Sequence, residues 1–141
     1  MKQIAGIFII FLFITACSVK PQPIVTGKDS CAYCKMTVMD KKFAAELITQ
    51  KGRIYIFDDL LCLINFMHEN STDIGTPREI LVTDFYHDAV LINTKTAYIY
   101  RSDALESPMN GHFAAHSTAE AREKMKNEIA GQPVQWIDII K

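Results

Sequence analysis

The most apolar stretch of the chain comes first. From Ile4 to Ala16 almost every position is apolar, after a basic start at Lys2. About 13 residues span only roughly 20 Å as a helix, short of the ~30 Å hydrocarbon core of a bilayer. A basic start, a short apolar run and small residues at its end describe an export signal over residues 1–16. The chain then turns polar, with Pro21, Pro23 and Gly27. Residues 17–28 are therefore expected to be a flexible tether and residues 29–141 the folded domain.

Within the domain the pattern alternates between strand and helix periods. Phe43 to Thr49 and Arg53 to Phe57 are β-rich runs joined by Gln50-Lys51-Gly52, which predicts a hairpin. Asp58 and Asp59 can cap the next segment, Leu60 to Glu69, where Leu60, Leu61, Ile64 and Met67 or His68 recur at helical spacing. A breaker-rich stretch from Asn70 to Pro77 leads to a strand from Glu79 to Tyr86. The order then repeats. Ala89 to Asn93 and Thr96 to Arg101 predict a second hairpin across Thr94-Lys95, followed by a long loop to Ser117. Ser117 and Glu120 form a capping box for a helix through Ala130, with Gly131 at its C-terminal cap. Val134 to Ile140 is the last expected strand. The sum is an α+β domain of duplicated ββαβ units, with mostly antiparallel sheet and two helices.

Composition narrows the function. The 141 residues are 49% hydrophobic and 22% charged, ordinary for one globular domain. Fifteen basic against 16 acidic side chains leave a formal charge of −1. That lacks the basic surplus a nucleic-acid partner demands. No paired-carboxylate site, phosphate-cradling glycine loop or serine nucleophile motif is legible, and the expectation is a protein that is not an enzyme.

The cysteines carry the chemistry. Ile14-Thr15-Ala16-Cys17 resembles the bacterial lipobox, in which cleavage precedes the cysteine and lipid is attached to its thiol. Several acyl chains would then hold the domain at the membrane outside the cytoplasm, where free thiols tend to be oxidised. Beyond the anchor stand Cys31, Cys34 and Cys62. In Cys31-Ala32-Tyr33-Cys34-Lys35-Met36 two thiols can turn toward one point and a thioether follows. Soft thiolate and thioether donors select Cu(I) over harder ions, whereas zinc prefers a closed set of thiolate and imidazole. Three other readings stay open: a thiol–disulfide oxidoreductase using Cys31 and Cys34, a structural zinc module using Cys31, Cys34, His112 and His116, and a plain disulfide closing the loop.

The lipobox, the short tether, the C-x-x-C-x-M step and the ββαβ duplication together resemble the NosL family of lipoprotein copper chaperones. Val82-Thr83-Asp84-Phe85, Ala97-Tyr98-Ile99-Tyr100 and Pro108-Met109 extend the likeness through the C-terminal half. The resemblance implies Cu(I) bound by Cys34 and Met36, with Cys31 as the additional cysteine of many members. It also implies a copper-accepting partner, the maturation complex of nitrous oxide reductase. Two positions depart from the family pattern: Lys35 stands where glycine is usual, and Pro-Met-Asn-Gly replaces Pro-Met-Gly. A lysine ammonium beside two thiolates would lower their pKa values.

Weaker metal candidates are Met109, His112 and His116 in the long loop, and Asp29 as a hydrogen-bond partner of the ligands or a weak ligand itself. Cys62 and Met39 are expected in the core, and His68 and His87 are expected to be ordinary surface or strand-end residues. The expected location is the bacterial cell membrane facing the periplasm. Ser18 is not the acidic residue that retains some lipoproteins at the inner membrane, which favours the outer one. Two chains sharing one ion would make a homodimer.

Overall fold

The computed structural model describes residues 19–141. The expected export signal and the expected lipid-bearing Cys17 lie outside the described residues. The first hairpin forms as the pattern demands: strands β1 (Ala45–Ile48) and β2 (Ile54–Phe57) pair antiparallel from Ala45↔Phe57 to Ile48↔Ile54. Gly52, with φ 82°, supplies the left-handed turn residue. Helix α1 (Leu60–Glu69) follows, capped by the Asp59 carboxylate, which accepts from Leu61 N. A short helix α2 (Ser71–Ile74) leads to β3 (Glu79–Thr83), which pairs with β1.

The second half differs from the expected one in where its hairpin lies. β4 (Leu91–Asn93) does not pair with β5 (Tyr98–Arg101); it adds to the edge of the first sheet, giving the order β2-β1-β3-β4. The Asn93 carbonyl accepts from both Thr96 N and Ala97 N, and this turn hands the chain from one sheet to the other. β5 buries Ile99 and Tyr100 completely and takes two partners. One is β6 (Phe113–His116), in the stretch expected as loop. The other is β7 (Gln132–Val134), giving the order β6-β5-β7. The duplication is thus real but framed differently, as β1-β2-α1-β3 and β5-β6-α3-β7, with α3 spanning Ala119–Glu128.

Three local expectations are corrected. Thr118, not Ser117, caps α3, accepting from Ala121 N, while Ser117 N donates to Asp84 Oδ2 at 2.9 Å. Gly131 is not a helix cap: a Cβ there would strike the Arg101 carbonyl and the Tyr100 ring, so glycine is needed for close approach to β5. The last segment is not a strand to Ile140. After β7, whose Pro133 is tolerated on an edge strand, it forms helix α4 (Trp136–Ile139), the i, i+3, i+4 set Trp136, Ile139 and Ile140 packing on the core.

The first sheet is covered on both faces. Leu47, Phe57, Val82 and Ile92 face α1, while Ala44 and Ile56 face Ile24 and Val38. Part of the expected tether is therefore packed. Ile24 is buried, Gln22 N donates to the Glu46 carboxylate, and Arg78 Nη2 donates to Val19 O. No helix among the described residues is long and apolar enough to cross a membrane.

Glu46, fully buried on β1, is the anomaly of this layer. Burial pushes its carboxyl up to about 7, against the partial relief of the Gln22 N–H. The native state therefore holds a proton there that the unfolded chain releases, and stability declines as pH rises from the ordinary carboxylate range through about 7. Thermal unfolding of Glu46→Gln should show a flatter dependence between pH 5 and pH 8 than wild type, with the larger gain at pH 8. Equal slopes would show that Glu46 stays ionised.

Candidate metal centre

The Ser30↔Thr37 bridge closes a tight loop around Cys31–Met36. Cys31 N donates to Met36 O at 2.8 Å, Lys35 N to Cys31 O at 3.1 Å, and Ala32 N to Ile56 O at 2.7 Å, which ties the loop to β2. Lys35 has φ 67°. This left-handed position explains why glycine is at home between cysteine and methionine, and a side chain there costs about 1 kcal/mol. The lysine ammonium, expected to lower the thiol pKa values, is not among the groups that shift them. It turns back to donate to Ala32 O at 2.6 Å. Backbone amides do approach the sulfurs: Cys34 N–H donates toward Cys31, and Met36 N–H toward Cys34.

The start of α1 meets this loop. Cys31 Sγ, Cys34 Sγ, Cys62 Sγ and an Asp58 carboxylate oxygen all lie within 4.8 Å of one another. Cys31 and Cys62 are each 1% exposed, while Cys34 is half-buried, and all three are free thiols. Cys34 donates to both Asp58 oxygens at 3.5 Å. A hydrogen bond from Cys62 outweighs burial and draws the Cys31 thiol down to about 6. That same bond, with burial and the Asp58 charge, pushes Cys62 far up. Burial and the neighbouring Cys31 also raise Cys34. The cluster thus sets one thiol made more acidic beside two made less so.

The structure places the other expected ligands variously. Met36 is 56% exposed at the mouth of the loop, and Met39, expected in the core, is 69% exposed. Asp29 stays outside the cluster, its carboxylate accepting from Val25 N at 2.7 Å. Met109 packs half-buried on the same core as Cys34, and its N–H donates to Asp59. His112 Nδ1 donates to Leu105 O at 2.8 Å. His116 is buried against Phe85 and Tyr86, and its two ring nitrogens have no partner among the described residues; burial lowers its pKa. Neither histidine joins the thiols. Among the described residues, the cluster of possible metal donors is three cysteines and Asp58, not a Cys2His2 set.

Cys62 is buried as expected, yet it is also part of the cluster, and Asp58, expected as a helix cap, joins it there. Their spacing of four residues across a helix start places both on one face, the one local signal that could have joined them. Asp59 serves differently. Its carboxylate, 1% exposed, caps α1 and accepts from Ser107 Oγ at 2.6 Å, Met109 N at 3.0 Å and Gly111 N at 3.4 Å. It thereby fixes the Met109 loop beside the cluster. A Cβ on Gly111 would collide with this carboxylate. Two metal–sulfur bonds of about 2.3 Å span at most ~4.6 Å, so the sulfur donors need only small shifts to share one ion.

A family model described as NosL matches residues 22–141. No curated protein matches the sequence. Among solved structures, the fold is similar to the crystal structure of the copper chaperone NosL from Shewanella denitrificans. The TM-score is 0.70 at 16% sequence identity, over 86% of this chain and 96% of that one.

Two stability measurements check the local geometry. Lys35→Gly should raise the unfolding free energy by up to about 1 kcal/mol in urea titrations, because it relieves the left-handed side chain. Asp59→Ala should lower it by about 3 kcal/mol, against less than ~0.5 kcal/mol for the exposed Asp103→Ala. An Asp59 effect no larger than that of Asp103 would sink the role given to this carboxylate.

Proposed function

The chain belongs to the NosL family, and on that premise we propose that it is an extracytoplasmic Cu(I) carrier, anchored through lipid on Cys17, that delivers copper for metallocentre assembly in nitrous oxide reductase. The observation that carries this reading is the gradient of exposure across soft donors. Met36 is open to solvent, Cys34 is half-buried and Cys31 is buried. A neutral thioether at the mouth offers an exchangeable contact, and the thiols behind it hold the ion more tightly. The Cys31 thiol, the one drawn down, gives up its proton most readily when the cation binds.

Transfer proceeds by ligand exchange. A soft donor of the acceptor enters beside Met36 and forms a shared intermediate. The acceptor then replaces Cys34, and copper moves to the side of higher affinity without change of oxidation state. The acceptor is a copper-receiving protein or the maturation complex of nitrous oxide reductase. A lipid anchor on the periplasmic face, at the outer membrane by the Ser18 criterion, raises the local concentration of carrier near that client.

One observation favours a second reading. The depressed Cys31 thiol beside Cys34 is suited to thiol–disulfide exchange. An anaerobic Cu(I) titration of the reduced protein against a chromophoric chelator separates the two. The carrier reading expects one tight equivalent, a loss of about a hundredfold or more in Cys34→Ser, and copper uptake about tenfold slower in Met36→Leu. Failure to compete with the chelator would overturn it, and disulfide-exchange activity indifferent to Met36→Leu would put the second reading in its place.

A further inference from the structure

We propose that Cys62 is the third sulfur donor of the copper centre. Cu(I) would rest in an inner position among Cys31, Cys34 and Cys62, and Met36 would serve as the outer capture ligand. This inference rests on the carrier reading and assigns a role to a thiol outside the C-x-x-C-x-M step.

Geometry carries it. The three sulfurs already lie within 4.8 Å of one another. Three donors at about 2.3 Å around one ion stand roughly 4 Å apart, so the triangle closes by shifts below about 1 Å. A copper ion held by Cys31 and Cys34 would have the Cys62 sulfur within that same reach. Cys62 is fixed by its place in the first turn of α1, between the buried Leu60 and the buried Leu63 and Ile64. No loop motion is needed to bring it in.

Burial supplies the second argument. Cys31 and Cys62 are each 1% exposed, whereas Met36 is 56% exposed. An ion seated on the inner donors is shielded from water, and one seated at the mouth is not. Asp58 completes the wall. Its hard oxygens are poor donors for Cu(I), and its part is to hold the Cys34 thiol, which donates to both of them. The start of α1 brings the positive end of a helix dipole to the side of the cluster where negative charge gathers. Copper arrives as Cu(I) on a soft ligand, passes from Met36 to Cys34, and settles against Cys31 and Cys62. Each thiol that binds releases its S–H proton to solvent, a sulfur already ionised has none to lose, and nothing is oxidised. On delivery, the acceptor's donor meets Cys34 from the exposed side, and Cys62 lets go last.

The test combines sulfur K-shell counting by copper X-ray absorption with the anaerobic competition titration, on the reduced full chain. The proteins are wild type, Cys62→Ser, Cys62→Ala, Cys34→Ser and Met36→Leu, with thermal unfolding of each metal-free protein as the folding control. Wild type and Met36→Leu are expected to show three sulfur neighbours at copper. Cys62→Ser should show two, bind at least about tenfold more weakly and yield copper to the chelator faster. Cys62→Ser with wild-type sulfur count and affinity would overturn the inference and leave Cys62 a core thiol. If neither Cys62 variant folds, a count of two sulfurs in Met36→Leu overturns it alone, and a count of three sustains it. Weakened Cys34→Ser beside unaffected Cys62→Ser would end this inference but keep the carrier reading. A wild type that takes no Cu(I) would end both.

Discussion

Two adjacent buried carboxylates govern the architecture around the site. Asp58 and Asp59 are 2% and 1% exposed, and neither forms an ion pair with a cation among the described residues. A buried charge without a cation costs several kcal/mol unless hydrogen-bond donors gather around it. Asp59 collects them from its own helix and from the far half of the chain, through Leu61 N, Ser107 Oγ, Met109 N and Gly111 N. Asp58 faces the other way, and its donor is the Cys34 thiol. One dipeptide thus caps α1, fixes the Met109 loop and orients the C-x-x-C turn.

The same device joins the halves a second time. Asp84, fully buried at the end of β3, accepts from Tyr86 N, His87 N and Ser117 N. Burial alone would raise its carboxyl, but the donors from Ser117 and its neighbours prevail and hold it at about 2. So α1 is tied to the second half by Asp59, and α3 is tied to the first by Asp84. The two helix starts occupy matching places in the repeat, yet they differ in chemistry. Asp59 and Cys62 in the first correspond to Thr118 and Ala121 in the second. The duplicated fold builds two equivalent helix starts and puts donors at one.

Around that start, softness and burial vary together. Met36 offers an exposed neutral thioether, Cys34 a half-buried thiol held by Asp58, and Cys31 and Cys62 two sulfurs shielded by the core. Such an order suits a cargo that must be gained and given up, because the open side stays labile while the closed side retains the ion. His112 bonds Leu105 O and His116 fills an aromatic niche, so neither joins the thiol cluster.

Local periodicity was enough for the first hairpin, for α1 and for the thiol turn, because each depends on neighbours a few residues away. Turn chemistry at Gln50-Lys51-Gly52, the Asp59 cap and the C-x-x-C-x-M spacing were all visible along the chain, as was the α+β duplication in outline. The partner of a strand was not. β4 and β5 are adjacent in sequence and read as a hairpin, but fully buried Ile99 and Tyr100 demand a central strand with two partners. Only the packed fold supplies β6 and β7. The core reading of Cys62 was correct as far as it went, since apolar neighbours on α1 do bury it. Its second role depends on Cys31, a loop residue 31 positions earlier that β2 carries to the helix start through the Ala32 N to Ile56 O bond. Sequence spacing determined which donors could meet within one turn, and tertiary packing decided that a third sulfur and a carboxylate meet them, because those contacts exist only where the sheet edge meets the start of α1.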